Sequence, residues 1–190
     1  MITVMGATGN TGRKIAEGLL AAGVQVRALG RDAGRLADLA ALGAEVRAGD
    51  TSDPEFLAGA FRGVDAAYTL LPTDQRAPDY PGRQDAEGKA IAAAIRASGI
   101  QRVVALSCVG TDQPNGTGVI LGLRRQELRL REIEGIDLLF LRPVSFFENF
   151  YGQLETIRHE GIVADSVEAD LAIPMVASHD IANAAVDALA

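Results

Sequence analysis

The sequence predicts an α/β protein with a doubly wound, mainly parallel sheet and helices on both faces. Short apolar segments alternate along the chain with Ala- and Leu-rich segments of helical periodicity, which is typical of this class. Several of the apolar segments, such as 103–106 and 138–141, are apolar at successive positions, as in strands that are buried on both faces. A glycine-rich turn at 6–12 joins the first strand to the first helix.

Six strands and five main helices follow from these patterns. The predicted strands are 2–5, 24–29, 44–48, 66–71, 102–106 and 137–141. The predicted helices are 11–22, 33–41, 54–62, 80–98 and 119–134, with a further helix at 181–190 after a start signal at Ser178-His179-Asp180. Two longer connections, 72–82 and 110–118, follow the fourth and fifth strands, and open α/β sheets bind ligands at these carboxyl ends.

Composition restricts the classes of protein. The 190 residues suggest one domain, in which we expect 1–150 to form the nucleotide-binding core and 151–190 a partial substrate-side segment. The net charge of −7 argues against a broad nucleic-acid face. With one cysteine, no long apolar run and no signal peptide, we expect a cytoplasmic protein without a membrane segment. The last helix reaches Ala190 without a stop signal, which predicts a shortened version of the fold.

The glycine-rich turn has the spacing of a dinucleotide-binding loop in a Rossmann-type fold. Glycines at this spacing permit a tight turn, close approach of a pyrophosphate, and close packing of helix on strand. Such turns also open helices without binding a ligand, but a position between strand and helix at the start of a βαβ unit favours dinucleotide binding. The predicted contacts are Gly6, Thr8, Gly9, Asn10, Thr11 and Gly12.

The end of the second strand favours NADP over NAD. Sites for NAD usually have an acidic residue here, which binds the ribose 2′-hydroxyl. This chain has Gly30 followed by Arg31, and a guanidinium can bind a 2′-phosphate through two hydrogen bonds. Arg13 could reach the same phosphate. Alternatively, Arg31 is a surface charge that Asp32 partly neutralises.

Four segments resemble the NmrA-like, atypical short-chain dehydrogenase/reductase family. They are the opening 6–13, the passage 49–65 with Gly49-Asp50-Thr51-Ser52-Asp53, the run Leu141-Arg142-Pro143-Val144-Ser145-Phe146-Phe147-Glu148-Asn149, and Asp180-Ile181-Ala182. The resemblance implies adenine contacts from Asp50 and Thr51, a nicotinamide-ribose wall of Leu70, Leu71 and Pro72, and a nicotinamide border of Ser107 and Pro143. Without a ligand, Leu70 and Leu71 would be core residues and Pro143 a strand terminator.

The chain lacks the Tyr-x-x-x-Lys pair with which many dehydrogenases of this kind reduce carbonyls. Tyr68, Tyr80 and Tyr151 are followed four residues later by Pro72, Gln84 and Glu155, and the only lysines are Lys14 and Lys89. This absence makes carbonyl reduction by that mechanism improbable. It fits an oxidoreductase that passes hydride from NADPH to a quinone or similar flat acceptor. The absence of the pair fits equally well a non-catalytic regulator that senses NADP(H) and acts with a protein partner or as a homo-oligomer. The missing Tyr and Lys also argue against an epimerase.

The remaining candidates have competing interpretations. Cys108 is a redox-sensitive thiol or, preferably, a small buried residue at a strand end. Phe146, Phe147 and Phe150 shape an apolar pocket or belong to the core, and Glu148 and Asn149 orient a substrate or cap a turn. The charged residues of 124–132, including Glu127, are interpreted as a solvated helix face. His159 and His179 lack partners at metal-ligand spacing, so no metal site is predicted.

Overall fold

A computed structural model describes residues 1–72, 78–164, 167–168 and 170–190, and its centre is a six-stranded parallel sheet. The strands are β1 (Ile2–Val4), β2 (Val26–Gly30), β3 (Glu45–Ala48), β4 (Ala66–Thr69), β5 (Arg102–Leu106) and β6 (Asp137–Leu141). Their spatial order is β3-β2-β1-β4-β5-β6, so the direction of winding reverses between β1 and β4. The predicted Rossmann-type fold is confirmed, and this reversal is where such sheets form a ligand crevice.

Helices cover both faces of the sheet, as the continuous apolar strands require. The helices are α1 (Gly12–Ala21), α2 (Ala37–Ala41), α3 (Pro54–Phe61), α4 (Tyr80–Ser98), α5 (Ile120–Arg131), α6 (Leu154–Glu160) and α7 (Ser178–Leu189). One core lies between the sheet and α3, α4 and α5, and includes Phe61, Ile95 and Leu130. The other lies beneath α1, α2 and α7, and includes Leu19 and Leu39.

Capping residues fix where two helices close to the site, α3 and α4, begin, and where α4 ends. Asp53 begins α3, because its carboxylate accepts a hydrogen bond from the Glu55 N–H at 2.9 Å. Asp79 does the same for α4 through the Gly82 N–H at 3.1 Å. Helix α4 then ends at Gly99, whose φ of +71° is the left-handed conformation expected after a helix.

Several predicted boundaries were wrong. The segment predicted as one helix at 33–41 is a 3₁₀ turn (Gly34–Leu36) followed by the short α2. Strand β2 begins two residues late and includes Gly30, and β4 ends at Thr69 rather than at 71. The connection predicted at 72–82 is described only in part, since 73–77 lie outside the described residues.

Before the predicted last helix, residues 145–176 include elements that the sequence pattern did not reveal. A parallel pair, β7 (Ser145–Phe146) with β8 (Met175–Val176), lies beside a 3₁₀ segment (Phe147–Gln153) and α6. Helix α7 returns to the main core, where Ala182, Ala185 and Leu189 are buried. The division at residue 150 therefore stays a prediction. Across the described ranges, every helix is too short or too polar to cross a membrane.

Candidate functional site

A cleft of about 900 Å³ lies at the carboxyl edge of the sheet, above the reversal of winding. Most of the residues predicted to bind a cofactor line it. They are Gly6, Thr8, Gly9, Asn10, Thr11, Arg31, Asp50, Thr51, Leu70, Leu71, Pro72, Ser107 and Pro143. The fold thus brings together segments that are up to 137 positions apart in sequence (143 minus 6). A cleft of this volume is in the range of cofactor pockets.

The loop 6–12 at one wall of the cleft needs its glycines for reasons of space. Gly6 has φ +62°, and a Cβ there would lie 2.7 Å from Leu70 Cδ2. A Cβ on Gly12 would lie 2.7 Å from the Met5 carbonyl oxygen, a backbone atom that cannot rotate away. Gly12 is buried and does not line the cleft, so its place is beneath the loop. Its predicted role as a ligand contact stays a prediction, but its packing role is clear.

Hydrogen bonds from below hold this loop in place. The Tyr68 hydroxyl donates to Thr11 Oγ1 at 3.0 Å, and burial raises the pKa of Tyr68, so the phenol remains protonated. The Ala7 N–H donates to the Leu29 carbonyl at 2.9 Å. The start of α1, whose N-cap residue Thr11 lines the cleft, has no acidic side chain in its own first turn, which favours anion binding.

Charged side chains gather at the end of the cleft over β2 and β3. Arg31 and Arg83 line it together with Asp50 and Glu87. The hydrogen bond from the Ser52 N–H, 2.9 Å from Asp50 Oδ1, lowers the pKa of Asp50. Burial raises the pKa of Glu87, with Arg83 opposing. This end can therefore offer both a carboxylate and guanidinium groups to a ligand.

Side chains pack closely against Gly30, where many NAD sites have an acidic residue. A Cβ at Gly30 would lie 3.1 Å from Thr8 Cγ2 and 3.3 Å from a Leu36 methyl group. Arg31, the next residue, is exposed at the mouth of the cleft. The local geometry thus places a guanidinium, and no carboxylate, directly after the second strand.

Arg13 does not line the cleft, in contrast to the prediction that it reaches a 2′-phosphate. Its guanidinium is 2.9 Å from Glu17 and 2.7 Å from Asp38, and these carboxylates raise the pKa of Arg13. The guanidinium of Arg35, which sequence reasoning missed, contacts the loop, because its Nη2 donates to the Thr8 carbonyl at 3.2 Å. No pattern in the sequence distinguishes Arg35 from a surface arginine.

The opposite end of the cleft is supported by a buried carboxylate. Glu127 of α5 accepts hydrogen bonds from Ser107 Oγ at 2.6 Å and Thr111 Oγ1 at 2.8 Å, and from two nitrogens of Arg142. Burial raises the pKa of Glu127, but these donors outweigh it and hold the pKa at about 2. The interpretation of Glu127 as part of a solvated helix face was wrong, because only 4% of the residue is exposed.

Comparison with known proteins identifies the family. Residues 6–190 match the family described as NAD(P)H-binding. The chain belongs to this NAD(P)H-binding family. It is 34% identical to a (4-alkanoyl-5-oxo-2,5-dihydrofuran-3-yl)methyl phosphate reductase of Streptomyces griseus and 29% identical to an NAD(P)H azoreductase of Xenophilus azovorans; all of this chain and 63% of each relative are covered.

The fold is also that of solved structures of such proteins. An NADPH-dependent quinone oxidoreductase from Escherichia coli, complexed with NADPH, superposes with a TM-score of 0.82 at 23% identity, over 100% of this chain and 65% of that one. The chain therefore spans less than two thirds of the length of these relatives. Over 109 residues, 55% of this chain and 32% of the relative, the chain is also 38% identical to an NmrA-like family domain-containing oxidoreductase of Aspergillus hancockii, in agreement with the resemblance to NmrA-like reductases.

In this NAD(P)H-binding chain, α4 contributes a cleft wall that sequence reasoning missed. Tyr80, Arg83, Gln84 and Glu87 all line the cleft. They occupy the same helical stripe as the apolar residues 91, 94 and 95, one to three turns earlier. A polar beginning to an otherwise apolar stripe is the signal that could have identified them.

The other candidates divide between the cleft and the scaffold. Cys108 is half-buried and lines the cleft, where burial raises the pKa of its thiol. Phe146 also lines the cleft, whereas Phe147 and Phe150 are largely exposed and belong to neither the cleft nor the core. Glu148 accepts a hydrogen bond from the Ser178 N–H at 3.0 Å, so it binds the start of α7, 30 residues away, and not a turn of its own segment.

Proposed function

We propose that this protein is an NADPH-dependent reductase that passes hydride to a flat, electron-poor acceptor such as a quinone. One observation carries the proposal: a single cleft joins the glycine loop at the start of α1 to a mainly apolar end formed by Leu71, Pro72, Pro143 and Phe146. The phosphate end suits a dinucleotide, and the apolar end suits a planar acceptor stacked beside it. The oxidoreductase names of the relatives support this assignment.

The hydride itself would come from the reduced nicotinamide when the dinucleotide is bound. The contribution of this chain is to hold the two reactants in contact and to keep water away from them. Proton donation by a Tyr–Lys pair is not part of the proposal. Tyr68 is buried and donates to Thr11, Tyr151 lies 69% exposed outside the cleft lining, and burial raises the pKa of Tyr80. We infer that solvent protonates the reduced acceptor.

The proposed preference for NADPH over NADH depends on Arg31. Arg31 lies at the cleft mouth beside Gly30, which stands at the position where many NAD sites have an acidic residue. Arg83 lines the same end of the cleft and would add a second positive charge. Arg13 has no part in this proposal, because Glu17 and Asp38 already neutralise it.

A steady-state assay tests the proposed reaction. The purified protein is mixed with NADPH and a panel of quinones and azo dyes, and the loss of reduced-nicotinamide absorbance is followed. We expect oxidation of NADPH that depends on both protein and acceptor. Binding of NADPH without turnover on any acceptor would contradict the enzyme assignment and would support the NADP(H)-sensing alternative.

A further inference from the structure

At Ser107 in the wall of the cleft, both hydrogen-bond donors of the residue are already in use. The Ser107 N–H donates to the Leu141 carbonyl at 2.7 Å, and the neighbouring Val109 N–H donates to the Pro143 carbonyl at 3.0 Å. The Ser107 hydroxyl lies 2.6 Å from Glu127 Oε1. Because an ionised carboxylate can only accept, the hydroxyl hydrogen must point at Glu127.

Glu127 is fixed as an acceptor by its other partners. Arg142 donates to both of its oxygens, Thr111 Oγ1 donates at 2.8 Å, and Arg131 adds a positive charge at 3.5 Å. Its side chain is 5% exposed, so water cannot replace these donors. Two guanidinium groups and two hydroxyl groups surround this single carboxylate, which is ionised and therefore has no hydrogen to donate to any of them.

A serine hydroxyl has one hydrogen and two lone pairs, so Ser107 retains only acceptor capacity toward the cleft. It is suited to a ligand N–H or O–H and cannot donate to a substrate carbonyl. At its reactive end NADPH carries such a donor, the NH₂ of the nicotinamide carboxamide. Resting on the proposed function, we propose that Ser107, polarised by Glu127, accepts a hydrogen bond from this carboxamide and so sets the orientation of the nicotinamide ring.

Ser107 is in this account a cofactor-binding residue, and Glu127 a positioning residue that acts through it. The consequence for the reaction is a fixed ring face toward the acceptor, because a carboxamide held at one edge prevents the ring from turning over. Rotation of the hydroxyl toward Glu127 also excludes Ser107 as the proton donor to the reduced acceptor.

The test compares two oxidised dinucleotides by calorimetric titration in the absence of any acceptor. One is NADP⁺, and the other is 3-acetylpyridine adenine dinucleotide phosphate, in which a methyl ketone replaces the carboxamide and both N–H groups are lost. We expect the wild type to bind NADP⁺ on the order of fivefold more tightly, the effect of one ordinary hydrogen bond. Ser107→Ala should lose that preference by weakening NADP⁺ alone.

Two further variants separate positioning from general structural damage. In Glu127→Gln the amide can donate to Ser107 Oγ, which turns the hydroxyl hydrogen toward the cleft, so the preference for NADP⁺ should also disappear. Thr111→Val removes the other hydroxyl from the same carboxylate but lies outside the cleft lining. It should keep the fivefold ratio between the two dinucleotides whatever its effect on stability.

These titrations distinguish failure of this inference from failure of the proposed function. Failure of the wild type to bind either dinucleotide would overturn the proposed function and this inference together. Tight binding of both, with Ser107→Ala weakening both equally, would overturn only the assignment of the carboxamide and would indicate a ribose hydroxyl as the donor. Unchanged binding in Ser107→Ala would show that Ser107 contacts no part of the dinucleotide.

Discussion

At the scale of single residues, Gly12 offers a test of the loop that forms the phosphate end of the cleft. A Cβ in Gly12→Ala would lie 2.7 Å from the Met5 carbonyl oxygen, so the loop must move away from its present position. We expect dinucleotide affinity to fall at least tenfold and unfolding free energy to fall by about 2 kcal/mol, measured by calorimetry and urea unfolding.

Gly59→Ala is the matched control, since Gly59 lies within α3 and an added Cβ would meet nothing closer than 3.8 Å. It should leave binding unchanged and stabilise the helix by about 0.5–1 kcal/mol. Equal binding by wild type and Gly12→Ala would contradict the assignment of the loop as the phosphate site.

Arg31 provides the residue-scale test of cofactor preference. In Arg31→Ala a charge-assisted contact to the 2′-phosphate would be lost, so NADPH affinity should fall by about tenfold while NADH affinity changes less than twofold. The measurement is the ratio of the two dissociation constants. Arg125→Ala, which removes an exposed arginine outside the cleft, serves as the control. Equal loss for both cofactors would refute the 2′-phosphate assignment.

Site residues whose role follows from the local backbone could be predicted from the sequence. Site residues whose role depends on tertiary packing could not. The loop 6–12 was predicted from its glycine spacing between strand and helix, and Asp50 and Ser107 were implied by the family resemblance; all of them lie at the carboxyl edge, where such sheets bind ligands. Arg35 and Glu127 could not be found in this way. Their partners, Thr8 and Ser107, become neighbours only when distant helices pack against the sheet.

At the scale of elements, an ion-pair cluster ties α7 to the nucleotide half of the fold. Lys14 Nζ of α1 lies 2.5 Å from Ser178 Oγ of α7 and 3.4 Å from Glu148 of the 3₁₀ segment. Burial raises the pKa of Glu148, but hydrogen bonds from Ser178 and Lys14 outweigh burial and lower the pKa to about 2. Helix α7 is therefore held both by its apolar face and by a largely buried carboxylate.

This cluster predicts loss of stability in acid. The folded pKa of Glu148, about 2, is below its ordinary value of 4.5, so the folded state binds fewer protons between these values. Its stabilisation is complete above about pH 4.5 and decreases as pH falls toward 2, and Glu127 acts in the same direction. Urea unfolding at pH 6, 4.5, 3.5 and 2.5 should show unfolding free energy decreasing below pH 4.5.

Glu148→Gln removes one of the two groups responsible. It should lower unfolding free energy at pH 6 by about 2 kcal/mol, because hydrogen bonds to an ionised acceptor are lost, and give a shallower decrease in acid. Glu160→Gln, at an exposed carboxylate, should reproduce the wild-type curve. A Glu148→Gln curve parallel to that of the wild type would contradict the depressed pKa of Glu148.

Element prediction succeeded where the pattern was long and failed where it was short. The apolar runs of β5 and β6 and the 19-residue α4 are predicted at their observed bounds. The two-residue strands β7 and β8 contain too few positions to show a period of two. These strands form because residues 145–146 pair with residues 175–176, 30 positions along the chain. A pairing over this distance cannot be predicted from the local sequence pattern.

At the scale of the whole molecule, binding of a dinucleotide should stabilise the fold, because the cleft joins the ends of strands that come together only on folding. At 100 times its dissociation constant, NADPH should add about 2.7 kcal/mol to the unfolding free energy. For a chain of this length that raises Tm by about 5–10 °C in a thermal melt. Gly12→Ala should show a smaller shift, and an unshifted wild-type Tm would contradict NADPH binding.

A crystal structure with NADPH would show whether NADPH lies along this cleft with its nicotinamide at Ser107. We expect the pyrophosphate over residues 6–11, the 2′-phosphate beside Arg31, and the nicotinamide between Ser107 and Pro143. A dinucleotide bound outside the cleft, or lying in the reverse direction with its nicotinamide beside Arg31 and Asp50, would contradict it.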